Sequence, residues 1–243
     1  MIDTAARSLT KAATWRVFAV LLLATVTFIT TKDWKTASYI TVGYHAIQII
    51  TYFFHERLWN HIQWGTTSGL FIQMTGMSGA GKTTLSSLVA GRLRSRGYQV
   101  ELIDGDEYRA GLCSDLGFSK EDRNTNIRRL GFVSKVLSRN NVISIISAIN
   151  PYDDVRKELD ALAENVKTVY IKCDLETLKS RDTKGLYRKA LLPDDHPEKI
   201  HNFTGISDPF EEPNSPDLVI ETNGQQIDKS AKILENFILR SVK

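Results

Sequence analysis

Cysteine is scarce in this sequence. Only two of the 243 residues are cysteines, Cys113 and Cys173, and their positions match neither a metal-binding nor a redox motif. We therefore expect both side chains to be buried as small apolar groups in a reducing compartment. The sequence also lacks internal repeats and low-complexity segments.

The larger part of the chain has no excess of basic charge. The net charge is +3, and residues 1–66 contain six Lys or Arg against three Asp or Glu. The remaining residues are balanced, with 25 basic and 25 acidic side chains. Because a nucleic-acid-binding surface needs a basic face, we expect no nucleic-acid partner.

Two long uncharged runs lie near the N-terminus. Val17–Thr31 and Thr36–Phe54 contain no charged residue, and the segment "KDWK" separates them. Each run approaches the ~20 residues that a helix needs to cross a bilayer. Together they predict an α-helical transmembrane hairpin within residues 1–64, with spans at about 15–31 and 37–54. Aromatic residues that favour the lipid interface lie near the ends of the runs: Trp15, Trp34, Tyr52 and Trp59.

Three other interpretations compete with a hairpin that spans the lipid bilayer. A cleaved signal peptide would use Val17–Ile29, but a second apolar run follows instead of a small-residue cleavage site. The runs could also form a hairpin lying in the membrane interface, or a soluble helical pair packed on the main domain.

A spanning hairpin would place both termini on the same side of the cytoplasmic membrane. Basic residues flank that side more than they occupy the turn: Arg7, Lys11, Arg16 and Arg57, against Lys32 and Lys35. The positive-inside bias then favours a multi-pass protein with both termini in the cytosol.

A second domain is predicted over residues 65–243, after a join at His55–Gly69 that ends in the short linker "GTTSG". Short apolar runs alternate there with helical patterns. The predicted strands are 70–75, 98–104, 142–149, 166–174 and 217–222, and the predicted helices lie near 82–96, 121–139, 152–164, 175–182 and 226–241. This alternation predicts an α/β fold with a parallel sheet flanked by helices.

The segment "GMSGAGKT" fits the phosphate-binding pattern G-x-x-x-x-G-K-[ST] at every position, between a predicted strand and a predicted helix. Its glycines let the backbone curl so that N–H groups point at phosphate oxygens. We expect Lys82 to neutralise the terminal phosphates and the Thr83 hydroxyl to bind Mg²⁺. The predicted ATP-binding residues are Gly76, Met77, Ser78, Gly79, Ala80, Gly81, Lys82, Thr83 and Thr84. An ATP-using domain must face the cytosol, which agrees with the predicted orientation.

A dense set of charges follows the second predicted strand. Two acids, Asp104 and Asp106, precede basic and amide side chains that could grip an anion: Arg109, Arg123, Asn126, Arg128 and Arg129. A small anionic acceptor with a hydroxyl to be deprotonated would suit this set. For Lys120, Glu121 and Arg128 a solvated helix face is the competing interpretation. The polar segment 181–211 is typical of a lid or binding loop.

Further motifs carry a resemblance to a known family. "IDGD", "DLGFS", "NIRR", "NPY", "RDTKGLY" and "NFTGISDPFE" occur in this order after the phosphate loop. Residues 70–222 thereby resemble adenylylsulfate kinase, which phosphorylates the 3′-hydroxyl of adenylyl sulfate. The N-terminal hairpin resembles a small membrane domain that is sometimes fused to such kinases.

The resemblance implies roles for the matching residues. Asp104 would be the base, Lys82 a catalytic cation, and Asp106 would help to hold Mg²⁺ or the acceptor. Phe118 and Phe203 would sandwich the acceptor's adenine. The remaining acceptor-binding and lid positions would be Arg109, Arg123, Asn126, Ile149, Pro151, Lys184, Gly185 and Leu186, with a lid at about 181–206. The resemblance also implies a homodimer and a functional partnership with ATP sulfurylase.

Three positions depart from the family pattern. Asn150 replaces a serine that can carry phosphate in some members, so we expect direct transfer from ATP. Thr125 replaces a glutamate, and Leu191 replaces an arginine. These changes keep open a kinase acting on a related small nucleotide, such as a cytidine diphosphate derivative. A non-catalytic nucleotide sensor in the membrane is the alternative from another class.

Overall fold

A computed structural model describes residues 5–59, 69–182 and 184–242. The chain divides into two compact units, residues 1–66 and 67–243. Residues 65–68 of the predicted linker "GTTSG" and the predicted boundary after residue 64 lie outside the described residues.

The N-terminal unit is a pair of helices, α1 (Ala5–Thr31) and α2 (Trp34–Trp59). Lys32 takes a left-handed conformation with φ 55° between them. The Asp33 carboxylate then accepts hydrogen bonds from the backbone N–H groups of Lys35 at 3.2 Å and Thr36 at 3.0 Å, which caps the start of α2. The chain folds back there, since Arg16 donates to the Gln48 side chain of the other helix at 3.3 Å.

The two helices differ in how well each could cross a membrane. Within the described residues, one segment, Ala13–Thr31, is long and apolar enough, with a mean hydropathy of 1.7. The structure has the predicted pair of helices, but the second predicted span is not apolar enough to count as a membrane-spanning segment. Polar side chains such as His45 and Gln48 lie in the middle of α2 and lower its hydropathy.

The C-terminal unit is built on a five-stranded parallel sheet, as predicted. The strands are β1 (Leu70–Thr75), β2 (Val100–Asp104), β3 (Ile143–Ser147), β4 (Val166–Lys172) and β5 (Leu218–Glu221). The helices are α3 (Lys82–Ser95), α4 (Gly105–Ala110), α5 (Lys120–Arg139), α6 (Asp153–Asp160), α7 (Leu175–Arg181), α8 (Leu186–Ala190) and α9 (Ile227–Ser241). The strand order is β2-β3-β1-β4-β5, so β1 is central.

Successive side chains of β1 point to opposite faces of the sheet, which gives two cores. Leu70, Ile72 and Met74 pack with the apolar faces of α3 and α9. Phe71 packs on the other face with side chains of α5 and α6. The sheet is thus covered by helices on both faces, and its central strands are mostly apolar, as expected for buried parallel strands. Cys113 and Cys173 form no disulfide and are both buried, as predicted.

Because all five strands run in the same direction, their carboxyl ends meet at one edge. In register, Met74 of β1 lies opposite Ser147 of β3, and Asp104 of β2 lies opposite the same serine. The loops that leave these three strands therefore start side by side. Ligands bind at this edge in open sheets of this kind.

Two short helices, α4 and α8, were not predicted. Both lie in polar segments without a long apolar period, so hydrophobic spacing gives no signal for them. Local features start these helices instead. The Asp104 carboxylate caps α4 by accepting hydrogen bonds from the N–H groups of Asp106 and Glu107, and Gly185, with φ 65°, precedes α8.

Candidate functional site

A cavity of about 760 Å³ opens at the carboxyl edge of the sheet. Most of the predicted site residues line it: Ser78, Gly79, Gly81, Lys82, Thr83, Thr84, Asp104, Asp106, Arg109, Phe118, Arg123, Asn126, Ile149, Pro151, Lys184, Leu186 and Phe203. Four residues of the predicted phosphate loop and lid are not part of its lining: Gly76, Met77, Ala80 and Gly185. Residues far apart in the chain are thus brought to one space.

The phosphate loop uses its glycines where no other residue would fit. Gly81 ends the loop with φ 100° immediately before α3. At Gly76, a Cβ atom would lie only 2.5 Å from the carbonyl oxygen of Ile171 on β4. The loop can therefore pass close to β4 before its amide groups turn toward the cavity.

Lys82 is folded back onto the same loop. Its Nζ donates to the carbonyl oxygens of Gly76 at 2.7 Å and Met77 at 2.9 Å. Burial lowers the pKa of Lys82 to about 8, against the carboxylates of Asp106 and Asp104, which raise it, and with Lys184, which lowers it further. The ammonium group is held at the mouth of the loop by carbonyl groups that an incoming phosphate could replace.

Thr83 joins the phosphate loop to the neighbouring strands. Its hydroxyl donates to the Asp104 carboxylate at 2.7 Å and lies 3.2 Å from the Ser147 hydroxyl. Asp104 itself is held by the N–H of Asp106 at 2.9 Å, at the start of α4. Three oxygen-bearing side chains from three different elements therefore meet at one point.

This oxygen cluster suits a magnesium ion. Mg²⁺ prefers oxygen ligands and is usually held by one or two protein groups together with substrate phosphates. Across residues 13–59, 69–182 and 184–242, no group of three or more His, Cys, Asp or Glu side chains could hold a metal alone. Thr83 and its carboxylate neighbour thus fit a cation that arrives with a nucleotide.

Asp106 has a different partner from Asp104. Its carboxylate pairs with Lys184 of the lid at 2.7 Å, and both side chains are exposed, by 81% and 64%. The pKa of Lys184 is raised, chiefly by this hydrogen bond. The predicted pair of acids is therefore divided between the phosphate loop and the lid.

Two arginines surround the exposed ring of Phe118. The guanidinium groups of Arg109 and Arg123 lie 4.7 Å and 5.8 Å from the ring centre. Arg123 also donates to the Thr204 hydroxyl at 2.9 Å and to the Asn202 carbonyl. This arginine thus connects the start of α5 to the segment that returns from the lid.

Phe203, the second aromatic residue predicted to enclose the adenine, packs against Tyr187. Its ring packs edge-on against Tyr187, with centroids 4.9 Å apart. The Tyr187 hydroxyl donates to the Ser78 carbonyl of the phosphate loop at 2.9 Å, and burial raises the pKa of that phenol to about 12. Tyr187 therefore supports both the aromatic wall and the phosphate loop.

The structure places the two other predicted arginines outside the cavity. Arg128 forms a two-pronged bond with Glu158 of α6, and Arg129 forms one with Asp115. For Arg128, the helix-face interpretation made from the sequence holds. For Arg129, the anion-binding interpretation is wrong, since its guanidinium faces a carboxylate partner.

Sequence reasoning missed several residues of the cavity wall. Ser147, Asn202 and Thr204 line it without a role assigned from the sequence, although Asn202 and Thr204 lie in the motif "NFTGISDPFE". Asn150, which the sequence marked only as a departure from the family pattern, also lines it. Asn126, which was predicted, is buried and its Oδ1 has no hydrogen-bond partner within the protein. The strand-end position of Ser147 is the signal that could have identified it.

Comparison with known proteins gives two family matches. The sequence model described as Adenylylsulphate kinase matches residues 68–221, and the one described as Predicted membrane protein (DUF2061) matches residues 9–60. The Adenylyl-sulfate kinase of Chloroflexus aurantiacus is 49% identical over 158 residues, which cover 65% of this chain and 82% of that protein.

A longer relative and a solved structure agree with this match. The Probable bifunctional SAT/APS kinase 2 of Sorangium cellulosum is 46% identical over 168 residues, but this chain spans only 28% of that protein. The structure of the Mycobacterium tuberculosis APS kinase in complex with AMPPNP and APS is similar with a TM-score of 0.65 and 33% identity, covering 71% of this chain and 98% of that one.

The lowered pKa of Lys82 predicts how triphosphate binding changes with pH. Above the pKa of about 8 the amine loses its charge, so affinity for ATP should fall by up to about tenfold per pH unit. Calorimetric titration of the full-length chain in detergent, from about pH 7.5 to about pH 9.5, measures this. Lys82→Met should bind weakly at every pH in that window. An affinity of the unaltered chain that stays constant across the window would contradict the prediction.

Proposed function

The chain belongs to the adenylylsulfate kinase family, and on that premise we propose that it transfers the γ-phosphoryl group of ATP to the 3′-hydroxyl of adenylyl sulfate. The products would be ADP and 3′-phosphoadenylyl sulfate, in sulfate activation and assimilation. The observation that carries the proposal is the 2.7 Å contact between Thr83 and Asp104. It brings the phosphate loop and the acid that would act as base to one point of the cavity.

The donor half of the site is the phosphate loop. Backbone N–H groups of Gly79, Gly81 and Lys82, at the start of α3, would surround the phosphates of ATP, where the helix adds partial positive charge. Lys82 would exchange its two carbonyl partners for phosphate oxygens. Thr83 would hold Mg²⁺ with the phosphates. Asp104, which contacts Thr83 at 2.7 Å, and Asp106, two residues further on, are the carboxylates that would assist it. When bound, the ion neutralises phosphate charge as it builds up.

The acceptor half is formed by the residues beyond the sheet edge. Phe118 and Phe203 would enclose the adenine between their faces. Arg109, Arg123 and Asn126 would bind the phosphate and sulfate groups, because guanidinium and amide donors match such oxygens. Ile149, Pro151 and the lid residues Lys184, Gly185 and Leu186 would close the remaining sides.

Transfer would occur in one step. Asp104 would accept the proton of the 3′-hydroxyl while that oxygen bonds to the γ-phosphorus, and the bond from this phosphorus to the bridging oxygen of ADP would break. Lys82 and the arginines would stabilise the charge on the transferring group. Asn150 has no hydroxyl, so no phosphorylated intermediate would form at this position.

The N-terminal unit would hold the kinase at the cytoplasmic membrane. The matched membrane-protein family and the apolar helix over Ala13–Thr31 support an association with the lipid bilayer. The two-helix hairpin supports a multi-pass arrangement, because it returns the chain to the side on which it began. The kinase domain and both termini would then face the cytosol, where ATP is available.

The proposal includes two protein partners. The chain would form a homodimer, although another relative, from Thiobacillus denitrificans, is described as a hexameric APS kinase. A functional partnership with ATP sulfurylase is supported by the bifunctional relative, in which the two activities are named together.

An acceptor screen tests the proposed reaction. The full-length chain in detergent, supplied with Mg²⁺ and ATP, should release ADP only when adenylyl sulfate is present, and chromatography should show the 3′-phosphorylated product. Cytidine diphosphate and other small nucleotides serve as competing acceptors. Turnover with one of these, and none with adenylyl sulfate, would overturn the acceptor assignment.

Removal of the proposed base should affect chemistry and spare binding. Asp104→Asn keeps an oxygen that can cap α4 but cannot take a proton, so kcat should fall by about 10²–10⁴-fold with ATP affinity nearly unchanged. Asp115→Asn is the matched control, because that carboxylate bonds Arg129 outside the cavity. If Asp104→Asn keeps the kcat of the unaltered chain, Asp104 is not the base.

Reporters at the two ends of the chain distinguish the membrane arrangements. A hairpin that spans the bilayer places both an N-terminal and a C-terminal reporter in the cytosol. A single span over Ala13–Thr31 would separate them. Protease protection in spheroplasts reads out each reporter, and an extracytoplasmic C-terminal reporter would refute the proposed orientation.

A further inference from the structure

A buried amide pair lies directly behind the cavity wall. Gln73 is in the middle of the central strand β1 and is 0% exposed. Its side-chain oxygen accepts a hydrogen bond from the Asn150 side chain at 3.0 Å. Asn150 is 1% exposed and follows β3 by three residues, at the point where the chain turns toward the cavity. None of the roles proposed above uses this pair.

The orientation of the Gln73 amide is fixed by its other neighbours. Its Nε2 donates to the Asp160 carboxylate at 2.6 Å and to the Arg156 carbonyl at 3.1 Å. These two groups can only accept, so the nitrogen must face them and the oxygen must face Asn150. The Asn150 amide is therefore required to present its nitrogen to Gln73.

Asn150 is held in an unusual backbone conformation by further bonds. Its φ is 46°, in the left-handed region that asparagine tolerates better than most residues. Its carbonyl accepts from the Thr75 hydroxyl and from the Arg156 guanidinium, both at 2.9 Å. Side chain and carbonyl are thus both bonded to residues that come from β1 and α6.

These bonds join the two halves of the site at adjacent residues. Thr75 immediately precedes Gly76, where the phosphate loop begins, and the Gly76 N–H donates to the Ile149 carbonyl at 3.1 Å. Ile149 and Pro151, on either side of Asn150, line the cavity. A shift of Asn150 would therefore move the acceptor wall with respect to the phosphate loop.

From this geometry we infer that Gln73 is a positioning residue for the transfer reaction, which acts through Asn150. Gln73 fixes the position of residues Ile149–Pro151, which form the acceptor side of the cavity, relative to the phosphate loop. It thereby aligns the acceptor hydroxyl with the γ-phosphate. The inference rests on the proposed function for the identity of the acceptor. Gln73 itself is behind the wall and would touch neither substrate.

Two single substitutions in the full-length chain test the inference. Gln73→Leu removes the partner of Asn150. Asn150→Gly removes the side chain but keeps the left-handed backbone accessible. Each should lower kcat/KM for adenylyl sulfate by about 10- to 100-fold, because misplacement of about 1 Å costs this much, while KM for ATP stays within about twofold. The double variant should be no worse than the worse single one, since both remove the same bond.

Thr168→Val is the matched control. It removes a different bond of the same side chain, the one from Gln73 Nε2 to the Thr168 hydroxyl at 2.9 Å, on the side away from the cavity. We expect its Tm to fall by a few degrees, about the effect of one buried hydrogen bond, with both kinetic constants unchanged. A general loss of packing would instead raise the KM for ATP as well, and would do so in all variants.

The outcomes separate the inference from the function on which it rests. If Gln73→Leu does not fold, Asn150→Gly alone tests the positioning role. An unchanged kcat/KM for adenylyl sulfate in Asn150→Gly, or a KM for ATP that rises by more than about twofold, would overturn the positioning role. If the unaltered chain does not phosphorylate adenylyl sulfate, the proposed function is wrong. If the unaltered chain is active and the variants are equally active, only the positioning role is wrong.

Discussion

The parallel pairing of β1 with β3 is the constraint on which the site depends. It places Met74 opposite Ser147, so both strands deliver their following loops to the same edge of the sheet. Just beyond the ends of these two strands, the Gly76 N–H donates a further hydrogen bond to the Ile149 carbonyl. Because β2 pairs with β3 on the other side, Asp104 arrives beside the same serine. Phosphate loop, candidate base and acceptor wall are thus neighbours through backbone pairing alone.

Side-chain hydrogen bonds and ion pairs then hold the parts of the site that strand pairing brings together. Behind the edge, the Asn150 amide nitrogen donates to the Gln73 side-chain oxygen at 3.0 Å, and both residues are buried. Such a buried bond resists displacement, because an amide that loses its partner there is costly. In front of the edge, the lid is held by Tyr187 to the phosphate loop and by the exposed pair of Lys184 with Asp106. An exposed ion pair stabilises by at most about 1 kcal/mol. The rear of the site is therefore held by buried hydrogen bonds, whereas part of its front is held by an exposed ion pair.

The strands were predictable because most of their residues are apolar on both faces. The predicted runs 70–75, 98–104 and 217–222 match the observed strands within two residues. The short helices α4 and α8 were not, since a capping carboxylate and a left-handed glycine begin them, and neither has a periodic signal. Arg129 was misjudged for a related reason. A charge cluster in the sequence does not reveal which arginine already faces a carboxylate, and Asp115 lies fourteen residues away.

The amino-acid sequence by itself determined the donor site, because the phosphate loop is a local structure whose glycines, lysine and threonine are consecutive. It also determined the alternation of strands and helices and the apolar character of the first helix. Only the tertiary structure decided that Thr83 meets Asp104, that Asp106 belongs to the lid, and that Gln73 stands behind Asn150. Those contacts join residues on different elements, so they follow from strand order and register, which no single stretch of sequence contains.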